Sequence, residues 1–239
     1  VAIEKIKAAI KTGRLSWADI EFHCRKVLKA KYDYGLASLK PINTNNLTND
    51  LNRDVNSMRK LIAENALTVL KKTDAVFFPL TAKKDSFKKQ IVYVNVGNSA
   101  NNAMANRMRM DYDADVINFS YQQNDSETAK MISEIKNKYN QVIIGIHNYT
   151  RFPANNFGIS KNAVDLVTQL QQKTKAITFV FGNVYAVKNW CNAKNLVACY
   201  EDDSIVQNAA VDLLQGKIAA QGKLPVTVCE QLKFGTGIT

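Results

Sequence analysis

Gln141-Val-Ile-Ile-Gly-Ile-His147 carries nonpolar residues at every position between its two ends. A strand with one wet face alternates apolar and polar residues, so a short uninterrupted run belongs to a strand covered on both sides, as in a parallel sheet flanked by helices. Comparable runs lie upstream at Ala75 to Leu80, Gln90 to Val96 and Ala114 to Phe119, and downstream at Ala176 to Phe181 and Leu196 to Tyr200. Helical periodicity fills the intervals, over Ala100 to Met110, Ser126 to Tyr139, Ser160 to Lys173 and Ser204 to Leu214. Ahead of them all, a helix from Leu51 to Lys72 places Val55, Met58, Leu61, Ile62, Ala66, Val69 and Leu70 on one face. This alternation predicts an α/β domain over residues 51–239, built as a doubly wound, mostly parallel sheet with helices on both faces, a flavodoxin-like α/β sandwich.

The first 36 residues read as two helices. Val1, Ile3, Ile6, Ala9 and Ile10 form one apolar stripe; Ser16, with Asp19 three positions on, is placed to cap a second helix whose stripe is Ile20, Cys24, Val27 and Leu28. Gly35 ends it. Two helices alone cannot bury those stripes, which predicts packing against something further. Residues 37–50 are polar, Asn-rich and contain Pro41, the composition of a connecting segment. A start without methionine inside a helical pattern reads as a piece of a longer chain.

At 46% hydrophobic and 22% charged residues, the composition is that of an ordinary globular protein. No apolar run approaches the roughly 18 residues of a membrane span. The formal net charge of +11 raises the question of a polyanionic partner. The lysines are scattered, though, with no aromatic platform among them, so they read as solvated faces and no nucleic-acid partner is expected. Cys24, Cys191, Cys199 and Cys229 have no C-x-x-C spacing, and His23 and His147 are the only histidines. That inventory predicts no metal site and no cofactor. Buried free thiols are the expected state of the cysteines, although the spacing alone does not decide disulfide use.

Ligands of open α/β sheets bind beyond the carboxyl ends of the strands. Those ends carry Gly97-Asn98-Ser99, Ser120-Tyr121, His147 with Asn148 and Arg151, Gly182-Asn183, and Glu201-Asp202-Asp203. Gly97-Asn98-Ser99 precedes a helix and offers free amides to an anion, or serves simply as a turn and cap. It is not a dinucleotide fingerprint, and no P-loop occurs. His147 could shuttle a proton or be a hydrogen-bonded structural residue, the simpler reading. Glu201, Asp202 and Asp203 are consecutive, which is the wrong geometry for two carboxyls flanking one glycosidic bond and fits capping of the next helix better. Asn98, His147, Arg151, Asn183 and Glu201 are therefore the candidate binding residues, and no catalytic residue is assigned.

Four segments together resemble glycoside hydrolase family 3. Lys11-Thr-Gly-Arg-Leu-Ser-Trp-Ala-Asp-Ile20, with Cys24 to Leu36, is similar to the close of that family's catalytic barrel. Ala63-Glu-Asn-Ala-Leu-Thr-Val-Leu-Lys-Lys72 is similar to the helix that opens its second domain. Phe181-Gly-Asn-Val-Tyr185 resembles an "FGNPY" turn with Val184 in place of proline, and Gly222-Lys-Leu-Pro-Val226 resembles a terminal "GKLPV". The resemblance implies that residues 1–36 are the last helices of a TIM barrel and 51–239 the C-terminal α/β domain. It further implies an accessory role beside a missing N-terminal barrel domain of the same chain. The style of residues 181–239 looks like the β-N-acetylglucosaminidase branch, including bacterial proteins with a following β-lactamase-like domain. The intact enzyme would then hydrolyse terminal β-linked N-acetylglucosamine with retention, using a barrel aspartate and an Asp-His pair that no residue here matches. Carbohydrate is the implied partner, and a periplasmic, cell-envelope or secreted parent fits. The alternative is an independent module binding a sugar or anion in the strand-end crevice.

Overall fold

The computed structural model describes residues 1–73, 78–80, 91–98 and 100–239. The apolar run at 75–77, Gln90 and Ser99 lie outside the described residues. The chain divides into two compact units, Val1–Arg53 and Asp54–Thr239.

The first unit contains α1 (Ala2–Lys11), α2 (Trp17–Asp33), a 3₁₀ turn (Leu36–Ser38) and α3 (Leu47–Asn52). The expected capping box is present: the Ser16 hydroxyl accepts from the Asp19 amide at 3.1 Å, and the Asp19 carboxylate accepts from the Ser16 amide at 3.0 Å. Gly35 follows α2 in the left-handed region at φ 75°, where a side chain is strained. No residue of α2 is buried. Ile3 of the first stripe and Val27 and Leu28 of the second are each more than half exposed, so much of both apolar stripes remains uncovered although Ala9 is buried.

The second unit holds a six-stranded sheet. Its elements are α4 (Val55–Ala66), β1 (Thr68–Lys72), β2 (Ile91–Val96), α5 (Ala103–Tyr112), β3 (Asp115–Phe119), α6 (Asp125–Lys138) and β4 (Gln141–Ile146). They continue with α7 (Lys161–Lys173), β5 (Lys175–Val180), β6 (Asn195–Ala198) and α8 (Ser204–Leu214). The spatial order is β1-β6-β5-β4-β2-β3, with every pairing parallel except β1 with β6. The winding therefore reverses between β2 and β4, which opens the usual ligand crevice of such a sheet at the carboxyl ends of those two strands.

Period-two alternation divides the core in two. Val92, Val94, Val96, Val142, Ile144 and Ile146 pack with Ile135 of α6 and with Leu166 and Leu170 of α7. On the opposite face Tyr93, Ile143, Ile177 and Phe179 pack with Met104 and Met108 of α5 and Leu214 of α8.

Two expectations are corrected. The helix expected from Leu51 to Lys72 is α4 followed by an edge strand: Leu67 ends the helix, and Thr68–Lys72 pairs antiparallel with β6. Leu67 through Leu70 are all buried. A short apolar run satisfies helical and strand patterns equally, and here the β-branched Thr68 and Val69 and the open edge of β6 favour the strand. The second correction concerns the cysteines. Cys191 and Cys229 form a disulfide, Cys24 is an exposed thiol, and Cys199 alone is a buried free thiol.

The motif residues have local physical causes. A Cβ on Gly222 would lie 2.2 Å from the Ala66 carbonyl oxygen, so the tail passes α4 at a distance only glycine allows. Gly182, at φ 101°, turns the chain after β5, and the Asn183 side chain then accepts from the Tyr185 amide at 3.0 Å.

Candidate functional site

The crevice between β2 and β4 is filled from within the chain. Gly97 leaves β2 at φ 88°, and a Cβ there would sit 2.2 Å from the carbonyl oxygen of His147. The Tyr121 hydroxyl donates to that same oxygen at 2.7 Å, and the Asn148 amide group donates to the Gly97 carbonyl at 3.2 Å.

Beneath this lid lies a buried polar network. The His147 side chain is wholly buried and stacks on Phe181 at 4.4 Å between ring centroids. Its Nδ1 lies 2.7 Å from Asp202 Oδ1, and its Nε2 lies 2.7 Å from the Tyr93 hydroxyl. A carboxylate oxygen only accepts, so Nδ1 carries the proton and Nε2 receives the Tyr93 hydroxyl hydrogen. This crossing is possible because β4 has Gly145 between them: a Cβ there would lie 2.2 Å from Tyr93 Oη and 2.4 Å from His147 Nε2.

Asp202 is the hub. Its Oδ2 accepts from the Asn148 amide at 2.9 Å, and its Oδ1 accepts also from Gln207 Nε2 at 2.8 Å. The Gln207 carbonyl oxygen in turn accepts from the Ala103 amide at 2.9 Å, closing the start of α5. Asn102 caps α5 by accepting from the Ala105 amide at 2.7 Å and donates to the buried Asn95 at 3.1 Å. Partial burial works to raise the Asp202 carboxyl, but the hydrogen bonds from His147, Asn148 and Gln207 outweigh it and hold the group below the ordinary carboxylate range. Burial pushes the Tyr93 hydroxyl well above the ordinary tyrosine range. Each donor meets an acceptor, so the cluster fixes the positions of β2, β4, α5 and α8; the His147 imidazole is wholly buried and only the Asp202 end of the cluster reaches solvent.

The expected binding residues divide into separate places. His147 is the closed centre just described. Arg151 and Asn183 are brought together, since Asn183 Nδ2 donates to the Arg151 carbonyl at 2.8 Å, while the exposed Arg151 guanidinium rests over the Phe152 ring at 5.0 Å. Asn98 is half-buried on the turn after β2. Glu201 is exposed and lines a pocket of about 330 Å³ beside Arg59, Ile62 and Tyr200. Asp203 caps α8, accepting from the Ile205 amide at 2.8 Å and the Val206 amide at 3.0 Å, and pairs with Arg59. Asp203→Ala is expected to destabilise the α/β unit by about 1 kcal/mol, read from the urea midpoint; an unchanged midpoint would show that this cap contributes nothing. Tyr93, Asn102 and Gln207 went unassigned in the sequence, and Asp202, read there with its neighbours as a cap for the next helix, is instead the hub of this network, the cap being Asp203. Asn95, a polar residue inside an apolar strand, was the one signal that pointed to a buried network.

Among the described residues no group of three His, Cys, Asp or Glu side chains is arranged to hold a metal ion, and no helix is long and apolar enough to cross a membrane.

No family sequence model and no curated relative matches the chain. Solved structures do. A fungal multi-domain family 3 β-N-acetylglucosaminidase with a GCN5-related glucosamine N-acetyltransferase region overlays with a TM-score of 0.63 at 17% identity, over 96% of this chain and 26% of its own. A family 3 β-N-acetylglucosaminidase from Paenibacillus sp. overlays at 0.56 with 18% identity, over 95% and 43%. A β-glucoside phosphorylase overlays at 0.67 with 16% identity, over 96% and 42%. The chain thus spans less than half of each of these enzymes. Its fold is the one found in a part of family 3 glycoside hydrolases.

Proposed function

We propose that this chain is the C-terminal accessory portion of a family 3 glycoside hydrolase, with residues 1–36 as the closing helices of its barrel, 37–50 as a connecting segment and 51–239 as the α/β domain that supports that barrel. The observation that carries this reading is the overlay of 96% of the chain on 26% and 42% of two larger carbohydrate-active enzymes. Uncovered apolar surface supports it too. Beyond the bare stripes of α2, α4 leaves Met58, Leu61 and Ile62 each more than half exposed, surface that a partner domain would cover.

The activity of the intact enzyme is proposed as retaining hydrolysis of terminal β-linked N-acetylglucosamine, which the branch resemblance of residues 181–239 and two of the overlaid enzymes support. A retaining site needs a nucleophile and an acid/base about 5 Å apart on an open cleft. Asp202 is consumed by His147, and Asp203, the other carboxylate lining the Glu201 pocket, caps α8 and pairs with Arg59, so we assign the reacting groups to the barrel. The Cys191–Cys229 disulfide favours an oxidising compartment, in keeping with an envelope or secreted parent. A free-standing sugar or anion module working through the strand-end crevice is disfavoured by the side chains that already fill that crevice.

The test is release of p-nitrophenol from p-nitrophenyl N-acetyl-β-glucosaminide. The 239-residue chain is expected to give none, and the polypeptide extended upstream by its barrel is expected to turn the substrate over. Turnover by the shorter chain, abolished by a substitution within it, would overturn the reading.

A further inference from the structure

At the opposite end of the sheet from the crevice, two adjoining pockets share Gln172 and Lys194. One, of about 230 Å³, lies between α7 and the segment that leads into β6; the other, of about 670 Å³, lies below the amino ends of β4 and β5. Their walls bring together Lys136, Lys173, Lys175, Lys188 and Lys194, and no carboxylate lines either one among the described residues. Lys136 and Lys173 stand in the last turns of α6 and α7, where a helix end carries about half a negative charge. Two such ends offset about one of the five positive charges. The carboxylate of Asp115, bound to Tyr139 of the second pocket's wall, is matched by Lys138 at 3.1 Å. The groove stays strongly positive.

The same groove holds a second, independent irregularity. Trp190 lines the smaller pocket and is 3% exposed, and its Nε1 is the one buried side-chain polar atom among the described residues without a hydrogen-bond partner. A buried donor left unpaired is costly, and because this atom is closed to solvent an acceptor from outside the chain reaches it only when the wall of the smaller pocket shifts. Around it the side chains of Thr168, Gln172 and Asn192 make no hydrogen bond to one another or to the rest of the described residues.

We propose that this groove binds an acidic saccharide: a short glycan bearing carboxylates that meet the lysines and hydroxyl or ring oxygens that meet the indole N–H and the amide side chains. The wall chemistry selects against nucleic acid, because single strands are held by bases stacked on exposed aromatic faces, and both aromatic residues here, Tyr139 and Trp190, are buried. The site is independent of the glycosidase reading and would survive its failure.

The experiment titrates the 239-residue chain with hexagalacturonate as the probe, followed by calorimetry and by indole emission in a Trp17→Phe background, which leaves Trp190 as the sole tryptophan. Saturable binding is expected, weakening as salt screens the lysines and accompanied by a saturable change in Trp190 emission. Neutral chitohexaose should bind at least about tenfold more weakly, for want of charge-assisted contacts. The double substitution Lys175→Glu/Lys194→Glu, both on exposed side chains, should weaken binding by about tenfold or more without lowering the melting temperature. Trp190→Phe, which removes only the N–H, should weaken it by about fivefold. Absence of saturable binding, indifference to the lysine pair, or an unmoved Trp190 emission with equal affinity for a single-stranded oligonucleotide of matching charge would each overturn the proposal.

Discussion

Asp202→Ala is expected to lower the stability of the α/β unit by about 3–5 kcal/mol, one of the largest losses available to a residue that lies on the surface side of the core. Three donors converge on this carboxylate: His147 Nδ1 at 2.7 Å, the Asn148 amide at 2.9 Å and Gln207 Nε2 at 2.8 Å. Truncation strands the buried His147 and Gln207 donors, each at about 1–3 kcal/mol, while the exposed Asn148 amide can turn to water. Asp202→Asn should lose less, since its oxygen still serves His147, yet its new NH₂ group confronts donors. The same geometry sets a dependence on pH. The folded carboxyl lies below its ordinary value of 3.8, so the folded state gains from the ionised form at any pH above that value. The gain is lost as pH falls through the folded pKa. Urea midpoints measured near neutrality and in acid should therefore converge for wild type and Asp202→Asn as pH drops below about 4. A substitution that shifts the neutral midpoint by less than about 1 kcal/mol would show that the network is decorative.

The sheet was legible because its strands are buried on both faces: Val142 to Ile146 tolerates no polar residue on either side, and that pattern survives without any knowledge of the partners. Helix starts were legible where a cap is local, as at Ser160, whose hydroxyl accepts from the Ala163 amide. Leu67 to Leu70 was misread because its strand identity depends on β6, some 130 residues away in the chain: Thr68 pairs with Ala198. The closed crevice was illegible for the same reason. That His147 is a hydrogen-bonded structural residue was the simpler reading, but what holds it was not legible, because its partners Tyr93 and Asp202 lie 54 and 55 residues away. Gly145 read as an apolar strand position, whereas its role is to leave room for a hydrogen bond passing between two neighbours. The lysine groove shows the opposite failure. Lys136, Lys173, Lys175, Lys188 and Lys194 are scattered along the chain, and only the ends of α6 and α7 and the start of β5 bring them to one place. Charge counted along a sequence says little about charge collected on a surface.

Reduction of the Cys191–Cys229 bond, or its removal as Cys191→Ser/Cys229→Ser, is expected to cost about 4 kcal/mol, the loop-closure entropy of a 38-residue separation. For a unit of this size that is a fall of roughly 10 °C in melting temperature. The tail needs the link because it has no helix or strand of its own to hold it. It is pinned by a few contacts: Gly222 donates to the Leu67 carbonyl at 3.2 Å, Ile238 to the Val69 carbonyl at 2.8 Å, and Leu224 and Leu232 are 1% exposed against the core that contains Trp190 and Cys191. Those same contacts cover the outer edge of β1, so releasing the tail uncovers an unpaired strand edge beside Val69. Cleavage by trypsin at Lys223 and Lys233 should accordingly accelerate in the reduced protein below its melting temperature, while Cys199→Ser, whose thiol is buried and unbridged, should leave tail protection unchanged. Equal protease resistance of the oxidised and reduced chains, with matching melting temperatures, would mean that the hydrogen bonds along β1 hold the tail unaided.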